Sequence, residues 1–230
     1  MATVVLVRHG RTTANASGIL AGWSEGVALD EHGTQQAESV GERLAAVRLA
    51  GIVSSPLERT RQTADAIARA QAPSRKKSLI QFDDQVGECH YGEWTGRELK
   101  KLAKEPLWKA VQSHPSSVTF PGGESMTAMQ QRATAAIRRW NEHFGEKSIY
   151  AVVSHGDVIK AILADALGTH LDLFQRICVD PCSISIIDYT KERPFVVRSN
   201  DHGSDLSFLS RQSKRGKKGE AAVGGGAGHA

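Results

Sequence analysis

Apolar residues fall along this chain in two rhythms. Short continuous runs rich in β-branched residues occupy positions 3–7, 51–54 and 149–153. Such runs read as strands buried on both faces, because a strand with one wet face would alternate. Between them the spacing turns helical. Ala37, Val40, Leu44 and Val47 share one face and predict a helix over 34–47. Pro56 marks the turn into a helix over 57–70. Ser125 is a natural N-cap, and behind it Met126, Met129, Ala133, Ile137, Trp140 and Phe144 step by three or four. That predicts a long amphipathic helix whose Met and aromatic stripe packs in a core. Positions 158–167 predict a helix closed by Gly168. A third strand is expected over 78–82, and 183–189 with 194–199 read as an antiparallel pair. Residues 87–123 collect Pro, Gly and Trp and predict short helices and loops.

Strands alternating with helices imply an α/β fold: a three-layer sandwich with a mostly parallel central sheet, one antiparallel edge strand and flanking helices. A length of 230 residues fits one domain, expected over 1–205. The net charge is +4, and Arg211, Lys214, Arg215, Lys217 and Lys218 against Glu220 account for all of it. The body is therefore near neutral, which argues against a nucleic-acid-binding fold. Residues 206–230 form a basic, Gly-rich tail with almost nothing large and apolar after Leu209, and it is expected to be disordered. No run approaches the ~20 apolar residues that cross a membrane. The start lacks a basic leader and a long apolar core, so a cytoplasmic protein is expected. Three cysteines, Cys89, Cys178 and Cys182, make neither a disulfide framework nor a zinc pattern. A homodimer is the base-rate assembly.

Three strands end in chemistry. The first runs into Arg8-His9-Gly10, the second into Ser54-Ser55-Pro56 with Arg59 and Arg61 beyond, and a later one into Ser154-His155-Gly156. In an open α/β sheet, ligands bind outside the carboxyl ends of the strands. If these strands are parallel neighbours, two histidines and at least two arginines converge at one edge. Arg offers a planar fork of donors suited to phosphate oxygens, and His offers a donor or a nucleophilic nitrogen. Such a cluster repels itself unless it holds an anion. A dianionic phosphate group suits it; a metal does not, because the arginines repel it and no carboxylate pair joins the histidines.

These residues also match a family. Leu6-Val7-Arg8-His9-Gly10, with Asn15 six positions after His9, resembles the first motif of the histidine phosphatase, or phosphoglycerate-mutase-like, superfamily. Ser54-Ser55-Pro56-Leu57-Glu58-Arg59 resembles its second, Glu88-Cys89-His90-Tyr91-Gly92-Glu93-Trp94-Thr95-Gly96 its third, and Ser154-His155-Gly156 its fourth. The order agrees over residues 3–200. Arg11 stands where Glu is common, a departure that bears on substrate preference. The third motif and Pro121-Gly122-Gly123-Glu124-Ser125 are similar to an actinobacterial branch of phosphomutases or phosphatases.

Roles then follow from chemistry. Neutral His9 attacks phosphorus and becomes phosphohistidine. Arg8 and Arg59 hold the non-bridging oxygens. His155 donates to a phosphate oxygen, the resemblance implies that it and Gly156 belong to the same pocket, and Asn15 is an uncharged donor or a turn cap. Glu88 is the general acid and base. Glu93 is its rival five residues on; residue chemistry alone does not separate them, and the resemblance selects Glu88. Arg61 is expected to turn away, His90 to be an ordinary loop residue, and Trp23, Trp94 and Trp108 to wall the pocket or pack beneath loops.

The resemblance implies a longer insertion between acid and second histidine in typical phosphoglycerate mutases; here they are 67 residues apart. The 96–120 region shows no Arg pair for a substrate carboxylate. Hydrolysis of a small phosphorylated metabolite is therefore the leading reading, without metal or cofactor. A phosphoglycerate-mutase-type phosphomutase is the alternative, and a non-catalytic phospho-ligand module comes third.

Overall fold

The computed structural model describes residues 2–71, 80–203 and Gly224. The expected tail, 206–230, lies outside the described residues apart from Gly224, as do the first two positions of the strand expected over 78–82.

In chain order the elements are β1 (Ala2–Arg8), α1 (Thr13–Ala16), α2 (Glu31–Leu44), β2 (Ile52–Ser54), α3 (Glu58–Ala70) and β3 (Ile80–Phe82), followed by α4 (Leu99–Leu102), α5 (Pro106–Ser113), α6 (Met126–Phe144), β4 (Ile149–Ser154), α7 (Gly156–Ala166), β5 (Ile184–Tyr189) and β6 (Pro194–Asp201). Short 3₁₀ turns at Asp84–Val86, Gly92–Trp94, Pro115–Ser117 and Leu171–Arg176 fill the connections. Among the described residues no helix is long and apolar enough to cross a membrane.

The six strands form one sheet in the order β3-β2-β4-β1-β5-β6. β1, β2, β3 and β4 run parallel, with Arg8 opposite Ser154 and Ser54 opposite Val153. β5 is antiparallel to β1, and β6 to β5. The single reversed strand, expected at the edge, thus lies one place in: its hairpin partner β6 pairs on its outer side and takes the edge. Alternation explains the three layers. Val4 and Leu6 pack with Met129, Ile137 and Ile162 of α6 and α7. Val5 and Val7 face the opposite way, onto Val40 and Leu44 of α2 and Ile67 of α3.

Element boundaries moved where a cap overrode the apolar stripe. α2 starts three residues before the expected 34, because Asp30 Oδ1 accepts the Gly33 N–H at 2.7 Å. α6 begins as expected, with Ser125 Oγ accepting from Ala128 N at 3.1 Å. α7 begins at Gly156, directly after the strand-end histidine.

The start of α2 presses on the loop after β1. A Cβ on Gly33 would stand 1.9 Å from the Arg11 carbonyl oxygen, so only glycine fits. Gly33→Ala is expected to cost about 2–3 kcal/mol and to lower the melting temperature by roughly 5–10 °C. Calorimetry that found it as stable as the parent would contradict this packing.

Candidate active site

The parallel pairing delivers the expected convergence. β1 and β4 end in register, and the His9 N–H donates to Ser154 O at 3.0 Å. The two strand-end histidines therefore meet, with ring centroids 5.3 Å apart. β2 ends beside them, where Ser55 Oγ lies 2.8 Å from His155 Nε2. Arg59, the second residue of α3, reaches back: its Nη2 donates to Gly22 O at 2.8 Å and to His155 Nδ1 at 3.3 Å. Gly22 presents that carbonyl with a φ of +52°, and a Cβ on it would stand 2.7 Å from Thr95 Oγ1. Arg8, His9, Arg59, Glu88 and His155 are all buried.

Protonation follows from these contacts. His9 Nδ1 faces Gly10 O at 2.7 Å, and a carbonyl can only accept. The proton is on Nδ1, which leaves the Nε2 lone pair available. Burial, with Arg59 and Arg8 alongside, holds this imidazole well below its ordinary range, so it is neutral near pH 7. His155 is likewise held neutral, by burial first and Arg59 second. Its Nδ1 accepts from Arg59, so Nε2 carries the proton and donates to Ser55. In this form Nδ1 is an acceptor, and it becomes a donor only when the ring takes a second proton.

Arg8 and Arg59 are the cations of the site. Arg8 Nη1 donates to Val179 O at 2.9 Å, which fixes the side chain against the turn before β5. Among the described residues Arg59 Nη1 is buried with no hydrogen-bond partner. A buried guanidinium N–H left unsatisfied is costly, and a phosphate oxygen would satisfy it.

Glu88 stands opposite. Its Oε2 lies 3.6 Å from His155 Nδ1 and 3.8 Å from Arg59 Nη2, while Oε1 accepts the Cys89 N–H at 3.0 Å. Burial pushes its carboxyl up to about 7, against Arg59 and with help from Asp157. Glu93, the rival acid, is exposed. The backbone around Glu88 is fixed by Arg132, which the sequence did not flag, and by Trp23, which it did. Arg132 of α6 donates to Gln85 O, Gly87 O and Glu88 O, each at 2.9 Å, and pairs with Glu124. Trp23 Nε1 also donates to Glu88 O, at 2.6 Å. An arginine beside the apolar stripe of α6 was the one available hint.

His9, Arg59, Glu88 and Asn15 line one cavity with Thr12, Ile19, Leu20, Ala21, Leu99 and Gly224. Asn15 Oδ1 accepts from both Thr12 N and Thr12 Oγ1, so it caps α1 while facing the cavity. Gly156 is the buried first residue of α7 and is not part of that lining. Gly224 joins the site from the far end of the chain: its N–H donates to Asp157 Oδ2 at 2.9 Å, and its carbonyl accepts from Arg8 Nη2 at 3.4 Å. Arg61 turns away and covers the Phe82 ring, as its spacing from Arg59 implied. Arg11 pairs with Asp30 at 2.8 Å. His90 stacks on Trp23, and Trp94 and Trp108 pack in the core.

Known proteins place this geometry in context. The model of the histidine phosphatase superfamily (branch 1) matches residues 4–202. A probable phosphoglycerate mutase, GpmB, of Erwinia tasmaniensis is 35% identical over 191 residues, covering 82% of this chain and 86% of the relative. The solved structure of Bacillus stearothermophilus YhfR superposes with a TM-score of 0.79 at 28% identity, covering 87% of this chain and 98% of that one. A phosphoserine phosphatase variant from Entamoeba histolytica, in complex with phosphoserine, shares the fold with a TM-score of 0.78 at 22% identity, covering 88% and 98%.

Proposed function

Since the chain belongs to the histidine phosphatase superfamily, a group of phosphatases and phosphomutases, we propose that it hydrolyses a small phosphomonoester without a metal, through phosphohistidine on His9. The observation that carries this reading is the neutral, Nδ1-protonated His9 under the charges of two buried guanidiniums, one with an Nη1 that is unsatisfied among the described residues. A nucleophile, an anion cradle and a raised-pKa acid are what two-step phosphoryl transfer requires.

His9 Nε2 attacks phosphorus as the ester P–O bond breaks, and Glu88 gives its proton to the departing oxygen. Arg8 and Arg59 meet the charge on the equatorial oxygens. A dianion beside His155 favours its protonated form, which turns Nδ1 into a donor to phosphate. Glu88, now a carboxylate, takes a proton from water as that water attacks phosphorus and the P–N bond breaks. Phosphate leaves, and both side chains regain their starting forms. The two guanidiniums also oppose a metal cation at this position.

The mutase reading has one observation in its favour, the likeness to GpmB. Against it stands the cavity wall beyond the phosphate, formed by Ile19, Leu20, Ala21 and Leu99. Among the described residues Arg11 and Arg97, from the flanking loops, are engaged with Asp30 and Glu105, so neither is committed to a substrate carboxylate.

Phosphate release from a panel of alkyl phosphomonoesters in EDTA should be retained, and 3-phosphoglycerate with 2,3-bisphosphoglycerate should show release rather than isomer exchange. Exchange without release would replace the phosphatase reading with the mutase. Loss of activity in EDTA, restored by magnesium, would defeat both.

A further inference from the structure

Two buried residues behind the acid have no part in the steps above. Tyr91 and Asp157 are both fully enclosed and come from distant parts of the chain. A buried carboxylate is costly without strong partners. Asp157 Oδ2 lies 2.8 Å from Tyr91 Oη and accepts the Gly224 N–H. Among the described residues its Oδ1 accepts no hydrogen bond, and it lies 3.6 Å from Lys160 Nζ. Tyr91 Oη also lies 3.4 Å from Glu88 Oε1. A phenol has one proton and here faces two carboxyl groups. The shorter, better contact is to Asp157.

We propose that Asp157 and Tyr91 are positioning residues for the general acid: Asp157 claims the phenol proton, so Tyr91 cannot donate it to Glu88 and cannot stabilise a Glu88 carboxylate. The proposal rests on the reading of Glu88 as the acid. It also divides the labour of the two Glu88 oxygens. The Cys89 N–H on Oε1 marks that atom as the carbonyl oxygen of a protonated carboxyl. The hydroxyl is then Oε2, the oxygen nearest His155 and Arg59 and hence the phosphate.

The surrounding charges fit this balance. Arg59 of α3 and Arg8 of β1 favour the carboxylate, and Asp157 of α7 opposes it. Burial keeps His9, His155, Cys89 and Tyr91 uncharged. Arg132 donates to backbone carbonyls and Glu124 rather than to the Glu88 carboxyl. Lys160 and Arg8 are the cations facing Asp157.

The test is the alkaline limb of kcat/KM, read on the full chain with the fastest alkyl phosphomonoester of the panel. Glu88→Gln must erase the limb; if the limb survives there, the acid assignment falls and this proposal with it. Asp157→Asn keeps the shape, removes the charge and releases the phenol proton to Glu88 Oε1. Its limb should move down by about one pH unit. Tyr91→Phe deletes the contested proton and should leave the limb within about 0.3 unit of wild type. In the Tyr91→Phe background, Asp157→Asn should move the limb by less than half as much. An unmoved limb in Asp157→Asn, or the same displacement with and without the phenol, overturns the proposal while leaving Glu88 as the acid. Should Asp157→Asn not fold, Tyr91→Phe still decides: an upward move of about one unit would mean that the phenol had been donating to Glu88 all along.

Discussion

His9→Ala is expected to abolish the covalent intermediate and to lower turnover by roughly 10⁴-fold or more, the scale on which enzymes lose an attacking group. The same substitution should leave anion binding largely in place. Arg8 and Arg59 are held by Val179 O and Gly22 O, not by His9, so the cradle survives the loss of the imidazole. A Kd for inorganic phosphate within about tenfold of wild type is expected, since a charge-assisted donor pair remains. Rapid quenching followed by mass spectrometry at alkaline pH, where a phosphoramidate persists, should find the phosphoryl group on His9 in wild type and none in the variant. Label on any other residue would move the nucleophile and dismantle the mechanism.

Glu88→Gln should lower turnover on alkyl esters by at least ~10²-fold, because an alkoxide leaves poorly without a proton. On p-nitrophenyl phosphate, whose leaving group is stable as an anion, the first-turnover release of p-nitrophenolate should be little affected, while steady-state turnover still falls because hydrolysis of the phosphohistidine lacks its base. In wild type the required form is the protonated acid, raised to about 7 chiefly by burial, so kcat/KM should fall as pH rises through that value. Stability runs with the same sign. The folded protein holds this proton more tightly than the unfolded chain does, so stability is fully present below the ordinary carboxylate range. It is then lost as pH rises through about 7. Glutamine escapes that loss, and the variant should gain melting temperature relative to wild type at pH 8 but not at pH 5. Equal losses in the phosphorylation step on both kinds of ester would show that Glu88 binds substrate rather than protonating the leaving group.

How far the sequence reveals this site depends on whether a residue's meaning is local. Val4 to Val7 and Tyr150 to Val153 announce buried strands by composition, and a His-Gly at each strand end announces an edge site. Arg59 stands out because an arginine just after Ser-Ser-Pro has a strand end to reach back to. Tyr91, Asp157 and Arg132 do not stand out. A tyrosine in a loop, an aspartate in a first helical turn and an arginine on a long helix are ordinary in isolation. They acquire a role only when packing brings together positions as far apart as Glu88 and Arg132. The place of β5 was hidden for a similar reason. Its pairing with β6 follows from a short turn, but which strand of that hairpin meets β1 is decided by the whole sheet. Asn15 illustrates the reverse case, where a local cap and a cavity-facing position coincide.

β1, the element that carries Arg8 into His9, is made before both of its neighbours. It pairs Thr3 with Ile149 on one side and with Asp188 on the other. At ~5–20 residues per second, a growing chain would leave this apolar strand without partners for roughly 10–30 seconds. An arrested nascent chain ending near residue 140 should therefore bind holdase chaperones through residues 2–8 and be digested by protease. One long enough to free β4 and β5 from the ribosome should resist both. The placement that gives the nucleophile its rigidity also makes β1 the strand that waits longest for its partners.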